Sequence, residues 1–176
     1  MLCQEIPTFN ESCTIARYAD IKYSSLGDNV TVGDRGLIRR ATIGDDVTIG
    51  QASLVEDSAL GAFTSVGFWT SLRRSAIADH VSIGSRCSIS DTSIEESCQF
   101  DDFVEVRSGS CVGDHSILMR VVKIQSNVQI GKNVVIHPGA KIQGGSRIGN
   151  GAVICEGVTI TPCTVIDAGA TIVKGF

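Results

Sequence analysis

From Phe9 to the end of the chain an aliphatic residue or Phe recurs every six residues, with occasional steps of five. The series opens Phe9, Ile15, Ile21, Leu26, Val32, Ile38 and closes Ile148, Ile154, Ile160, Ile166, Ile172, and no member is polar. A helix needs apolar residues at steps of three and four, so this spacing excludes one. The five-residue steps fall once in every three units, as at Ile21–Leu26, Ile38–Ile43, Val55–Leu60, Leu72–Ile77 and Ile89–Ile94. The true period is therefore three units, seventeen residues up to Ser93 and eighteen afterwards. Three units per period predict a triangular solenoid with one short strand per side. About ten coils, the last incomplete, would stack at roughly 4.8 Å into a prism about 45–50 Å long.

The remaining positions agree with that geometry. Two residues before each aliphatic sits a second, small residue that must share the narrow interior; one side reads Ser24, Ala41, Ser58, Ser75, Thr92, Ser110, Val128, Ser146, Thr164. Cys13, Cys87 and Cys98 take the same kind of position, as expected of buried, inert thiols. The predicted corners carry Gly-Asp-Asn, Gly-Asp-Asp or Gly-Asn-Gly, residues that tolerate positive φ and bond their own backbone. With 43% hydrophobic residues, 5% aromatics and 19 glycines, the 176-residue chain builds its core from Ile and Val. Residues 9–176 read as one β-helix domain and residues 1–8, with Pro7, as a cap segment. The other end stops inside a coil, so Phe176, another chain or further sequence is expected to cover the open strand edge.

Units such as IGDDVT, VGDHSI, IGKNVV and IGNGAV resemble the hexapeptide repeats of left-handed parallel β-helix proteins. The resemblance spans residues 9–176 and is nearest to the sugar and xenobiotic O-acetyltransferase branch over Gln129–Lys174. It implies an all-β, left-handed parallel β-helix, here without extruded loops, and a homotrimer. It also implies transfer of an acyl group from acetyl-CoA or another acyl-CoA to a hydroxyl or amine of a small molecule or sugar. The family supplies its general base as a histidine near a subunit boundary. Of the three histidines, His115 in GDHS is the candidate, with His80 and His137 as alternatives. His80 and His115 share one corner position, which Asn29, Asp46, Ser97 and Asn133 fill in other coils, so each is also an ordinary corner residue. His115 departs from the family in one respect, since relatives carry the histidine on an extruded loop and residues 112–130 are all consumed by regular units.

Lys123, Lys141 and Arg147, with Lys132 nearby, form a candidate set for the phosphates of coenzyme A. The outward residues of one side read Thr14, Thr31, Thr48, Ser65, Ser82, Gln99, then Ile117, Val135, Val153. Solvent does not ask for that change, and Ile117, Val135 and Val153 are expected in a subunit interface. Arg39/Arg40, Glu56/Asp57, Arg73/Arg74 and Asp91 should stack as a salt-bridge ladder, each pair contributing under about 1 kcal/mol. Trp69, Arg86 and Phe103, with Phe68, Tyr18 and Arg35, share another edge, either as a surface stack or as a contact site.

The net charge of −4 weighs against nucleic-acid binding. No apolar run approaches eighteen residues and no signal peptide is recognisable, so a cytoplasmic protein without membrane contact is expected. Seven cysteines without zinc-finger spacing read as reduced thiols, and no metal is expected. Two other readings stand beside the transferase. One is a non-catalytic β-helix serving as a scaffold, assembly or regulatory module. The other, resting on a resemblance to γ-class carbonic anhydrases, needs a second histidine five residues after His115, where the chain has Arg120.

Overall fold

The computed structural model describes Thr8 and residues 11–174; Phe9, Phe176, Cys3 and residues 1–7 of the expected cap lie outside the described residues. Twenty-eight short strands form three parallel sheets and no helix occurs among the described residues. The first sheet, face one, has ten strands from Thr14–Ile15 to Thr171–Ile172. Face two has nine, from Asp20–Lys22 to Thr159–Ile160, and face three nine, from Ser25–Leu26 to Val165–Ile166. The chain visits the faces in the order one, two, three and begins again one rung lower, which is the left-handed parallel β-helix implied by the repeats.

The hexad explains the strands. Most hold two residues, the first pointing out and the second in, because successive side chains of a strand face opposite ways. Every member of the aliphatic series from Leu26 to Ile166 is buried, while Ile15, Ile21 and Ile172 near the ends are partly so. Each such side chain contributes about 1.5–3 kcal/mol on removal from water.

The small inner residues do more than save space. The Ser24 hydroxyl accepts the Ala41 N–H (3.1 Å), that of Ser58 the Ser75 N–H (3.1 Å), and that of Ser75 the Thr92 N–H (3.2 Å). Ser110 does the same for Val128 and Ser116 for Val134. Each hydroxyl also donates to a carbonyl, as Ser75 does to Arg73 (2.8 Å) and Ser110 to Gln125 (2.9 Å). A corner amide inside the prism must find a partner, and at these corners the hydroxyl supplies it. Cys87 and Cys98 are buried in the same role, and desolvation pushes both thiols up to about 11. Cys13 is half-buried and donates to the Gly27 carbonyl.

Outside, the corner carboxylate or amide of one coil accepts the amide of the coil before. Asp45 bonds the Asp28 N–H, Asp79 the Ala62 N–H and Asn150 the Lys132 N–H, at 2.8, 2.8 and 2.9 Å. The residue above must then be glycine: a Cβ on Gly27 or Gly61 would lie 2.2 Å from the Asp45 or Asp79 oxygen. Most corners place one residue in the left-handed region, as Asn29 (φ 56°), Asp46 (φ 55°) and His115 (φ 56°) show.

The change of period sits on the edge between faces two and three. Up to Ser88–Ser90 the described face-two strands have three residues, and Ser88 pairs with Glu105 seventeen residues on. From Glu105–Val106 the strands shorten to two, and Ser93 pairs with Cys111 eighteen residues on. The extra residue turns a tight corner into a four-residue one, with Gly109 (φ 76°) in the left-handed place.

Candidate functional site

Parallel register brings the outward residues of face one into a single column. Thr14, Thr31, Thr48, Ser65, Ser82 and Gln99 pair rung by rung, and Gln99 then pairs with Ile117, Ile117 with Val135 and Val135 with Val153. Ile117, Val135 and Val153 are half-buried by their own coils, and Thr171 returns the column to polarity. The apolar stretch is therefore three rungs of one face.

The histidines border that column. His115 occupies the left-handed corner position between faces three and one, two residues before Ile117. Its backbone N–H is held by the Glu96 carbonyl (3.0 Å), while the ring is exposed and makes no hydrogen bond among the described residues. His137 begins the opposite corner, between faces one and two, directly after the strand Val135–Ile136, and is half-buried. His80 shares the corner column of His115 two coils earlier, but its ring is stacked on Phe63, centroids 5.0 Å apart and 3° from parallel. Phe63 precedes His80 by one coil in that same column, so the winding superposes the two rings.

Around His115 the charges are largely spoken for. Lys132 lies one coil below and bonds the Asp114 carboxylate (2.6 Å), which holds that carboxyl below its usual range and raises the lysine. Asp114 also takes its own N–H to Glu95 (3.3 Å).

The three basic candidates for a phosphate ligand occupy two faces. Lys123 and Lys141 are direct neighbours in register on face two, with Glu105 3.9 Å from the Lys123 amine. Arg147 stands on face three, between Gln129 and Val165. The structure thus brings two of them together and sets the third around an edge of the prism. Among the described residues no group of three or more His, Cys, Asp and Glu side chains is arranged to hold a metal ion. No helix among the described residues is long and apolar enough to cross a membrane.

The charge ladder forms as its alternation required. Arg40 bonds both Glu56 (2.9 Å) and Asp57 (2.8 Å), and Arg74 bonds Asp91 (2.9 Å). These groups are largely exposed, so the ladder trims the edge rather than carrying the fold.

The family model described as bacterial transferase hexapeptide (six repeats) matches residues 127–162, so the chain carries that repeat. Among solved structures the fold is similar to UDP-N-acetylglucosamine acyltransferase from Campylobacter jejuni. The TM-score is 0.73 at 16% identity, over 89% of this chain and 68% of that one. It is likewise similar to LpxA, a UDP-N-acetylglucosamine acyltransferase from Bacteroides fragilis, with TM-score 0.66 and 16% identity over 90% and 70% of the two chains. No curated protein matches the chain by sequence.

Proposed function

We propose that this chain is an acyltransferase, moving an acetyl or other acyl group from acyl-CoA to a hydroxyl or amine of a small molecule or sugar. It works as a homotrimer in the cytoplasm, with the active site at the boundary between subunits. The observation that carries this reading is the apolar column Ile117–Val135–Val153, bordered by His115 on one edge and His137 on the other. The transferase repeat over residues 127–162 and the likeness of fold to two acyltransferases support the same class.

The chemistry asks little of the chain. His115 takes the proton of the acceptor, whose oxygen or nitrogen attacks the thioester carbonyl. A corner N–H steadies the tetrahedral oxyanion, and the coenzyme thiolate leaves and is protonated. An exposed imidazole with no hydrogen bond among the described residues is free to take that proton. Lys123 and Lys141 bind coenzyme phosphate from face two, and Arg147 joins them where the ligand lies across the edge to face three.

Titration with acetyl-CoA tests the proposal directly. Saturable binding, weakened by Lys123→Ala/Lys141→Ala, is expected, as is a fall of about 10²–10⁴ in turnover for His115→Ala once an acceptor is found. Absence of binding at millimolar acetyl-CoA would instead favour a non-catalytic module. One observation supports that second reading: every described coil closes with short corners and none extrudes a loop.

A further inference from the structure

The edge between faces one and two carries Trp69 and Phe103 at left-handed corner positions (φ 60° and 61°), two coils apart, with Arg86 (φ 58°) on the rung between them. The rings are 61% and 42% exposed. A bulky residue in this conformation costs about 1–2 kcal/mol relative to glycine. The same column uses Gly139 and Gly157 in later coils, where nothing comparable is displayed. Positive φ is shared by the other corners of the column, such as Arg35, Ala52 and Val121; what sets Trp69 and Phe103 apart is the exposed aromatic surface that neither burial nor backbone preference accounts for.

Their spacing is informative. The corner amides form one ladder, Trp69 N–H to Gln51, Arg86 N–H to Phe68 and Phe103 N–H to Ser85, each at 2.8–2.9 Å, so the corners stack in step with the coils. Two coils span about 9.6 Å. A polyproline II helix advances about 9.3 Å in one turn of three residues, so its residues i and i+3 fall in step with Trp69 and Phe103. Such a segment makes no internal hydrogen bonds and needs donors for its carbonyls. Arg86 stands on the rung between them, with its guanidinium over Phe103, 5.5 Å from the ring centroid, and in no ion pair among the described residues. It offers up to five N–H groups, and the Trp69 indole offers one more. The corner amides are already paired, so an added β-strand would find no free ladder on this edge.

We propose that this edge is a docking site for a proline-rich, polyproline II segment of a partner protein, lying along the prism axis with prolines three residues apart against Trp69 and Phe103. The site does not depend on acyl transfer.

Trp69 is the only tryptophan in the chain, so its emission reports the site without a label. Titration with decaproline should give a saturable blue shift. A decapeptide of Gly and Ser should give none. Phe103→Asn and Arg86→Asn, residues that accept the left-handed conformation, should each weaken binding at least tenfold with unchanged circular dichroism. Phe63→Asn, on a different edge, should leave binding intact. No response to millimolar decaproline overturns the proposal. So does an equal loss in Phe63→Asn, or a response to a β-linked hexasaccharide with none to the peptide.

Discussion

The buried hydroxyl at Ser110 offers a measurement of what the inner ladder is worth. Ser110 is 1% exposed; its oxygen accepts the Val128 N–H at 3.1 Å and its proton goes to the Gln125 carbonyl at 2.9 Å. Ser110→Ala removes both bonds and creates almost no void. A buried amide left without a partner costs about 1–3 kcal/mol. The lower end is expected, because other corners show a fallback. Ala140, Ala152 and Val158 sit below Val122, Val134 and Ala140, which have no hydroxyl, and turn their N–H to the carbonyl three residues back at 3.2–3.3 Å. Val128 can use the same bond once Ser110 no longer occupies the Gln125 carbonyl. The prediction is a loss of about 1 kcal/mol, seen in urea as a midpoint lowered by about 0.3–0.5 M at unchanged slope. Ser110→Cys should fall between the two, since the Cys87 and Cys98 thiols already fill this role. Exposed Ser82→Ala should change stability by under about 0.5 kcal/mol. If Ser110→Ala matched Ser82→Ala, the hydroxyls would be small fillers and the amide argument would fail.

Other outcomes follow from the same geometry. Ile117→Asp/Val135→Asp should yield monomers in sedimentation while the circular dichroism stays β-rich; a fully trimeric double mutant would remove the interface. Val121 holds φ 63° while 46% exposed, so Val121→Asn should raise stability by about 1 kcal/mol in urea unfolding. The Arg74 guanidinium, aided by Ser108, holds the Asp91 carboxyl at about 2, below its unfolded value near 4. The stability it lends is therefore complete above about pH 4 and lost as pH falls through about 2, and an acid titration of Asp91→Asn should show a shallower decline across that window.

The sequence was legible wherever one residue type does one job. The buried series from Leu26 to Ile166 could be read by counting, because an inward side chain in a three-sided prism has nowhere else to go. The face-one column was readable for the same reason, since a fixed period converts sequence spacing into register. Bonding partners were harder to see. Ser58 and Ser75 looked like small fillers because a one-dimensional pattern does not reveal which amide the corner leaves unpaired. The requirement for Gly27 comes from Asp45, a full coil away. Lys123 and Lys141 could be placed one coil apart on one side and Arg147 in a neighbouring unit, because the period fixes the face of each, and the register agrees. For His115 only the corner position was legible, because spacing along the chain places a side chain on the prism without saying what meets it there.

The coupling of period to face sets the arithmetic by which such a chain can change length. Excising a whole coil, for example residues 59–75, rejoins strands that already lie above one another and leaves every later side chain on its own wall. Excising a single hexad keeps the interior filled just as well but rotates everything downstream by a third of a turn. With the hexad removed between Gln99 and Ile117, the residues Ile117, Val135 and Val153 would still stack on one another, but on a wall adjoining the one that holds Ser82 and Gln99. A deletion harmless to the core would thus swing the apolar stretch round the prism axis relative to the coils above it.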